Sequence, residues 1–574
     1  VKEVKMKKIL VAILILGLIG VIGLNGVNKK IILSESEDIY CEVPLSVFSR
    51  YPAESFLIPI IILNKSETEK KITGIEFYKE DGTLILNKKI EEVVKGANIK
   101  ISDDEIRNKI GLMIPDKEIV EKAMNLLEKA KILEKSDERN KKIESSWYLL
   151  TMNYKGKEIE DKEIRNLLPY FKILNYEITL EDLNIKIEPP DFINIKIKII
   201  FLNPDNSTTS IDKETTLFYL TSLPSQWGWY PGDGHMHTTY SDGGSTIMQR
   251  RDQAYNSGLK WIIITDHGWS YIINNWNQYK TDCTNAQNKT PNITVCPGEE
   301  IATSDTDSHY LSYKMDNCAP LLDHTYDRYG TIYWVIYNGL IGFVAHPYST
   351  PYTWEDWYNY DAYINYDNSG PRGIELISGG YVISDTEIQD WDNFLKNHLS
   401  VTMKDSKHRF CVGLGNSDEH GYWPYLLYLG KKMTYIYTGS SSPPGTYRTG
   451  VYNAIERGYA TASSDGSLLI HKITTGGTYL PGYYIKKSSA GYVTVNIYAK
   501  RVISQCDEAT IKIVTIDGTL IDYISNQYEI NKNYSIYVNR DTYVRAEITF
   551  YDSTNGYSYC FSNPIFIDFP PYGS

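Results

Sequence analysis

The amino-acid sequence predicts a multidomain α/β plus β protein: an α/β barrel with a β-rich unit on either side. Three observations carry that expectation. The chain has 574 residues, more than one ordinary hydrophobic core organises. Between Trp227 and Ser467, short apolar strands alternate with helical segments and run into polar tips, as in an α/β barrel. On both sides of that stretch the pattern is strand-like, as in "INIKIKIIFLN" and "GYVTVNIYAK". A hydrophobic content of 42% with 23% charged residues belongs to a globular chain. The 48 tyrosines against 14 phenylalanines suit wet, half-buried β-surfaces. A formal net charge of −12 gives nucleic-acid binding no support.

Residues 1–30 are expected to be an N-terminal membrane anchor or signal segment. Lys2, Lys5, Lys7 and Lys8 precede an apolar run from Ile9 to Leu24, and Lys29 and Lys30 follow it. A spanning helix needs about 20 apolar residues and a signal-peptide core about 7–15, so this run falls between them. No small-x-small cleavage site precedes Lys29, and more lysines lie before the run than after it. An uncleaved anchor with an extracytoplasmic body is therefore expected, with secretion after cleavage as the alternative.

Residues 31–225 read as a β-sandwich-like accessory domain with a helical insertion, or else as a free-standing α+β domain. In the insertion Ile119, Val120, Met124, Leu127 and Ala130 recur at helical spacing, and its lysine-rich side reads as a solvated face. Residues 226–467 form the barrel; its segment "STIMQRRDQAYNSG" starts with Ser245 and ends with Gly258, a helix start and stop. Residues 468–574 read as a small C-terminal β domain. The seven cysteines make no close metal pair, so they read as structural, with Cys283–Cys296 and Cys506–Cys560 as candidate disulfides. Sequons at Asn64, Asn206, Asn288, Asn292 and Asn533 are compatible with export.

The ten histidines locate the chemistry. None precedes His235, nine fall between positions 235 and 420, and the last is His471. In an extended segment residues i and i+2 face the same side. His235 with His237 in "GDGHMHTTYSDGG", and Asp418 with His420 in "GNSDEH", can each aim two ligands at one point. Asp266 and His267 in "IIITDHG", His346 in "GFVAHP" and Glu300 in "CPGEEI" also sit at strand ends. Together, His235, His237, Asp242, His267, Glu300, His309, His346, Asp418 and His420 are too many ligands for one metal and enough for two or three. Imidazole and carboxylate donors without thiolates suit divalent Zn, Mn or Fe, and such a site suits hydrolysis.

In this order, "GDGHMHTTYSDG", "TDHG", "GEE", "AHP" and "SDEH" resemble the PHP (polymerase and histidinol phosphatase) metal-dependent hydrolases over residues 227–467. "GWYPGDGHMHTTYSDG" and the late "SNPIFI" are similar, more narrowly, to the CehA/McbA-type branch. The resemblance implies a distorted (β/α)7 barrel with its site at the C-terminal ends of the strands. It implies that His235, His237, Glu300 and Asp418 hold one metal. Glu300 would bridge to a second held by His309 and His346, and Asp242, His267 and His420 would hold a third. Glu299 is an alternative to Glu300, and His324 a rival to His309; Asp266 reads as orienting a neighbouring ligand. The implied activity is a phosphoesterase using metal-bound hydroxide. The alternatives are hydrolysis of carboxylic, carbamic or amide esters at the same site, and an idle surface-binding protein with a structural metal barrel. The substrate, a small-molecule or polymer ester, is not identified.

Other candidates have bland readings beside them. Glu375 touches substrate or is satisfied by a backbone amide. Arg250, Arg251 and Arg372 grip phosphate or are solvated, and Tyr348 lines the pocket mouth. His398, His408 and His471 read as surface or satisfied core residues.

Overall fold

A computed structural model of the chain describes residues 38–570, except 101, 104–105, 107–116, 153–169, 292, 307, 348–371, 380, 383, 398, 401–409, 421–428, 441–442 and 444–446. The N-terminal segment 1–30, Asn292, Tyr348, His398 and His408 lie outside the described residues. Among the described residues, no helix is long and apolar enough to cross a membrane.

The N-terminal part holds two sheets around one core. Ile39–Glu42, Ser55–Asn64 and Phe171–Thr179 pair in one; Ser46–Arg50, Thr208–Leu220, Asp191–Leu202, Lys70–Lys79 and Leu84–Val94 pair in the other. The alternation in "IKIKI" does what its period requires: Ile195, Ile197 and Ile199 are buried against Phe56, Ile58 and Ile60 of the facing sheet. Asn64, in the first of the sequons, is buried, and its amide donates to Thr68 O and Val94 O at 2.7 and 3.1 Å.

The insertion forms two helices, Lys117–Lys131 and Asp137–Met152, joined by Ser146 Oγ donating to Ala123 O at 3.0 Å. Its buried face is Ala123, Leu127 and Ala130; Leu127 and Ala130 belong to the expected stripe, but Met124 is 37% exposed and Ala123 takes its place. That face does not join the core between the N-terminal sheets. It packs, with Trp147 and Leu150, into the cluster of Trp229, Ile247, Leu429 and Met433 in the central unit.

The strands of the central unit are numbered separately: β1 Trp229–Asp233, β2 Trp261–Ile264, β3 Thr294–Pro297, β4 Glu299–Ala302, β5 His309–Tyr313, β6 Ile341–Val344, β7 Gly373–Ser378, β8 Val412–Gly415, β9 Met433–Tyr437 and β10 Ala460–Ser463. β2 lies parallel between β1 and β3. β4, β5 and β6 are antiparallel neighbours, and β6, β7 and β8 are parallel ones. Single parallel bridges, His267 with Glu300 and Met236 with Glu419, join these two arcs just beyond the strand ends, so the sheet curls back towards β1. Ile262, Ile263 and Ile264 are all buried, as expected for a strand covered on both faces. The helix after β1 runs from Ile247 to Asn256 and is capped by Thr246, one residue beyond Ser245, in a capping box with Gln249.

β9 and β10 extend the sheet beyond β1, and β10 pairs with Gly556–Ser562. The C-terminal strands therefore continue the sheet that carries the site. A four-stranded sheet of Leu468–Thr474, Thr478–Tyr479, Gly491–Lys500 and Glu529–Val538 shares a core with them through Val495, Ile497, Ile511 and Ile548. All seven cysteines are free, which corrects the two expected disulfides: Cys506 donates to Glu508 O and Cys560 to Ser467 O instead.

His471 is a buried core residue facing Val544 O at 3.1 Å. Burial, aided by nearby Arg545 against that hydrogen bond, lowers its pKa from 6.5 to about 4. Above pH 6.5 neither state is protonated; as pH falls towards 4 the unfolded chain takes a proton that the folded chain refuses. Stability should drop through that window by about 3 kcal/mol. Denaturation midpoints followed against pH should fall less steeply there for His471→Gln than for the parent.

Candidate metal centre

The polar tips converge beyond the ends of β1, β2, β6 and β8, around Glu300 within β4 and His309 at the start of β5. Past β1, Met236 pairs with Glu419, His237 N donates to Glu419 O at 2.8 Å, and Met236 is buried in the core. The period of two then turns His235, His237 and Asp418 to the other side, towards one another. The turn carrying Asp242 closes tightly: a Cβ on Gly243 would lie 2.4 Å from His237 C. His346 and Asp418 have φ of 26° and 54°, left-handed values that non-glycine residues seldom adopt and that cluster at functional sites.

Three groups of potential ligand atoms overlap: His235, His237, Glu300 and Asp418; His237, Asp242, His267 and His420; and His267, Glu300 and His309. In the first, His235 Nε2 lies 3.2 Å from Glu300 Oε2 and 3.1 Å from Asp418 Oδ1, and His237 Nε2 lies 3.0 and 3.4 Å from the same atoms. Glu300 Oε1 lies 2.9 Å from His309 Nδ1 and 3.1 Å from His346 Nε2, and those nitrogens are 3.2 Å apart. Asp242 Oδ2 lies 3.4 Å from His420 Nε2 and 3.8 Å from His267 Nε2, while its Oδ1 lies 3.4 Å from His237 Nδ1.

These separations fit divalent metal. Donors at about 2.0–2.2 Å from an ion lie about 2.8–3.6 Å from each other at right-angle or tetrahedral spacing. His267 Nδ1 and Asp418 Oδ1 are buried without a hydrogen-bond partner, as ligand atoms would be. The buried His, Glu and Asp clusters are thus suited to metal ions.

The electrostatics agree. Burial pushes the Glu300 carboxyl up, but His235, His309 and His267 outweigh it and hold it well below the usual range. Asp418, half-buried, is held low chiefly by His235 and His237. Burial pulls His235 down, yet Glu300, Asp418 and Glu375 raise it well above its ordinary value. His237, pulled down by burial and raised by Asp242, Asp418 and Glu300, reaches about 10. Burial dominates at His267, which with His237 and His309 beside it falls to about 3. The same carboxylates that draw protons onto His235 and His237 would draw divalent ions in their place.

Several residues stand outside these groups. Asp266 accepts from Thr238 N, Thr238 Oγ1 and Ser241 Oγ, each at 2.6 Å, so it braces the turn that carries Asp242. Glu299 accepts from Leu321 N, and His324 faces Thr303 O; neither reaches the clusters. Arg250, Arg251 and Arg372 are buried rather than solvated: Arg250 donates to His237 O, Arg251 to Lys289 O and Arg372 to Glu456 O.

Glu375 has a role its sequence context left open. Its Oε1 lies 3.0 Å from His235 Nδ1 and accepts from Asn416 Nδ2 at 2.8 Å, while Oε2 accepts from His346 N at 2.7 Å. A proton on His235 Nδ1 leaves Nε2 free for a metal. Asp233 does similar work for the backbone, with Oδ1 accepting from His235 N and Ser417 N, both at 3.1 Å. Asn416, in "GNSDEH", was signalled only by its closeness to Asp418.

No family model and no curated protein matches the chain. Among solved structures, it is similar to a two-domain protein containing a predicted PHP-like metal-dependent phosphoesterase from Bacteroides vulgatus ATCC 8482, at 15% identity and a TM-score of 0.34, covering 60% of this chain and 98% of that one. It is similar to an amidohydrolase from Chromobacterium violaceum at 12% identity and a TM-score of 0.23, covering 33% of this chain and 87% of that one. A β-glucuronidase from Parabacteroides merdae aligns over 93% of this chain and 63% of its own at 8% identity and a TM-score of 0.17. With scores this low, the chemistry rests on the residues themselves.

Removing the Glu375 charge should loosen His235 without removing a ligand. Metal affinity of Glu375→Gln, measured by competition with a chromogenic chelator, should fall about 10- to 100-fold.

Proposed function

We propose that this protein is an extracytoplasmic, metal-dependent phosphoesterase of the PHP type. The observation that carries the reading is the convergence of nine imidazole and carboxylate side chains into overlapping groups that share His237, His267 and Glu300. Sharing favours two or three ions, Zn, Mn or Fe, over a single closed structural site. When bound, such ions lower the pKa of a coordinated water and neutralise charge on the attacked and leaving oxygens.

The chain's own part is to hold and orient. His235, His237, Glu300 and Asp418 would form the first site, with Glu300 reaching across to His309 and His346. Asp242, His267 and His420 would form the third beside His237. Glu375, Asp233 and Asp266 fix these groups from behind. The order β1, β2, β3–β4, β5, β6, β7, β8, returning to β1 through Met236 and Glu419, supports a distorted (β/α)7 barrel. "GWYPGDGHMHTTYSDG" and "SNPIFI" support the CehA/McbA-type branch, and the lysine-flanked apolar run supports a membrane anchor.

The purified full chain should hydrolyse bis(4-nitrophenyl) phosphate or 4-nitrophenyl phosphate, lose that activity to chelator and regain it with manganese or zinc. Asp418→Asn should lower kcat by about 100-fold or more, beyond the loss of a supporting residue. Turnover of 4-nitrophenyl acetate alone would move the protein to carboxylic ester chemistry. Metal retention with no turnover of any substrate would leave a binding protein.

A further inference from the structure

Two of the ligand groups meet at His267, and one imidazole cannot serve both in the same way. Its Nε2 lies 3.8 Å from Asp242 Oδ2, and its Nδ1 lies 3.6 Å from Glu300 Oε2. The ring thus belongs to the group with His237, Asp242 and His420 and to the group with Glu300 and His309. A neutral imidazole has one lone pair and one N–H, so it binds an ion through one nitrogen and donates through the other. The position of that proton decides which of the two groups His267 completes.

Asp323 stands where it can decide. In "LLDHTY" the following residue, His324, faces Thr303 O, whereas the Asp323 side chain is 6% exposed and lies beside His267. Its Oδ1 accepts from Gly268 N at 3.2 Å and from Ala302 N at 3.0 Å, and its own N donates to Gly268 O at 2.9 Å. These bonds tie the carboxylate to the residue after His267 and to the end of β4. A Cβ on Gly268 would lie 2.8 Å from Asp323 Oδ1 and 2.2 Å from Leu321 O, so the approach needs glycine. With Oδ1 fixed, Oδ2 faces His267 Nδ1 at 4.0 Å, and Nδ1 is buried without a hydrogen-bond partner. Glu300 Oε2 also faces Nδ1, but it lies nearer to His235 Nε2 and His237 Nε2, at 3.2 and 3.0 Å. An ion between those groups would occupy that oxygen. Asp323 belongs to none of the ligand groups, so its charge is left for an N–H. Glu375 faces His235 Nδ1 in the same way.

We propose that Asp323 is a positioning residue for His267. Its carboxylate favours the proton on Nδ1 and so leaves the Nε2 lone pair to the site of Asp242 and His420. His267 then completes the third site, while Glu300, His309 and His346 make up the second without it. The inference rests on the metal centre of the reading above and not on the ester that the centre would cleave.

The test is a stepwise zinc titration of the metal-free full chain in competition with a chromogenic chelator. Asp323→Asn keeps an acceptor for Gly268 N and Ala302 N but presents an amide N–H to Nδ1, which moves the imidazole proton to Nε2. The zinc step that His267→Ala removes should weaken about 10- to 100-fold in Asp323→Asn, with the other steps unchanged. In the His267→Ala background the same substitution should have no further effect on zinc binding, whereas a merely structural residue would still weaken it. Should Asp323→Asn not fold, Asp323→Ser, which keeps an acceptor without the charge, answers the same question. Equal weakening in both backgrounds, uniform weakening of every step, or no weakening overturns the role of Asp323 and leaves the metal-hydrolase reading standing. A parent chain that binds no zinc overturns the two together.

Discussion

A carboxylate that is 1% exposed must be compensated, because removing an ionised oxygen from water costs several kcal/mol. Glu300 meets this demand with imidazoles on both oxygens: His235, His237 and His267 at 3.2, 3.0 and 3.6 Å from Oε2, and His309 and His346 at 2.9 and 3.1 Å from Oε1. Those five histidines come from four separate places in the chain, with His235 and His237 sharing one. The arrangement exists only if β1, β2, β4, β5 and β6 end at one level, and the curl of the sheet does that. The bridge between His267 and Glu300 puts two of the partners side by side before any side chain acts.

Imidazoles and carboxylates this close attract one another, but attraction alone does not fix which ring nitrogen and which oxygen face the centre; the residues behind them do. Glu375 takes His235 from behind and the His346 amide from the side, which also stabilises the left-handed backbone of His346. Asp266 ties the turn after His237, and with it Asp242. Asp233 joins the two strand ends that carry the paired motifs; burial, against hydrogen bonds from Ser417 and His235, pushes its carboxyl up to about 7. The carboxylates around the centre thus divide the work between facing the cluster and fixing its backbone.

Much of the centre was legible because period two needs no tertiary knowledge. "HMH" and "DEH" each announce two side chains on one side, and apolar strands ending in "TDHG", "GEE" and "AHP" announce where the tips lie. His309 was favoured over its rival His324 from the sequence, and pairing gives the physical reason: β5 lies antiparallel to β4 with Ala302 opposite His309, which brings its ring to Glu300. Glu375 was ambiguous because a strand-end glutamate looks alike whether it meets substrate, an amide or a histidine. The arginines looked solvated because composition favours it; here helix and strand packing turns them onto backbone carbonyls. Cysteine spacing suggested disulfides, but spacing in sequence does not fix which sulfur meets which.

Among the described residues the N-terminal unit contributes to none of the ligand groups, yet its helices bear on the site through β9. Lys431, just before β9, donates through Nζ to Thr151 O at the end of the second helix. Tyr148 donates to Asp465 Oδ2 at 3.2 Å, Glu144 accepts from Ser504, and Asn555 Nδ2 donates to Ser145 Oγ at 3.2 Å. One helical pair therefore contacts the segment leading into β9, the turn after β10 and the C-terminal strands. β9 pairs along β1, and β1 leads directly into His235 and His237. By burying Trp147 and Leu150 against Met433 and Trp229, the insertion covers the side of this sheet away from the clusters. A unit without chemistry of its own thus supports the strand from which the metal centre begins.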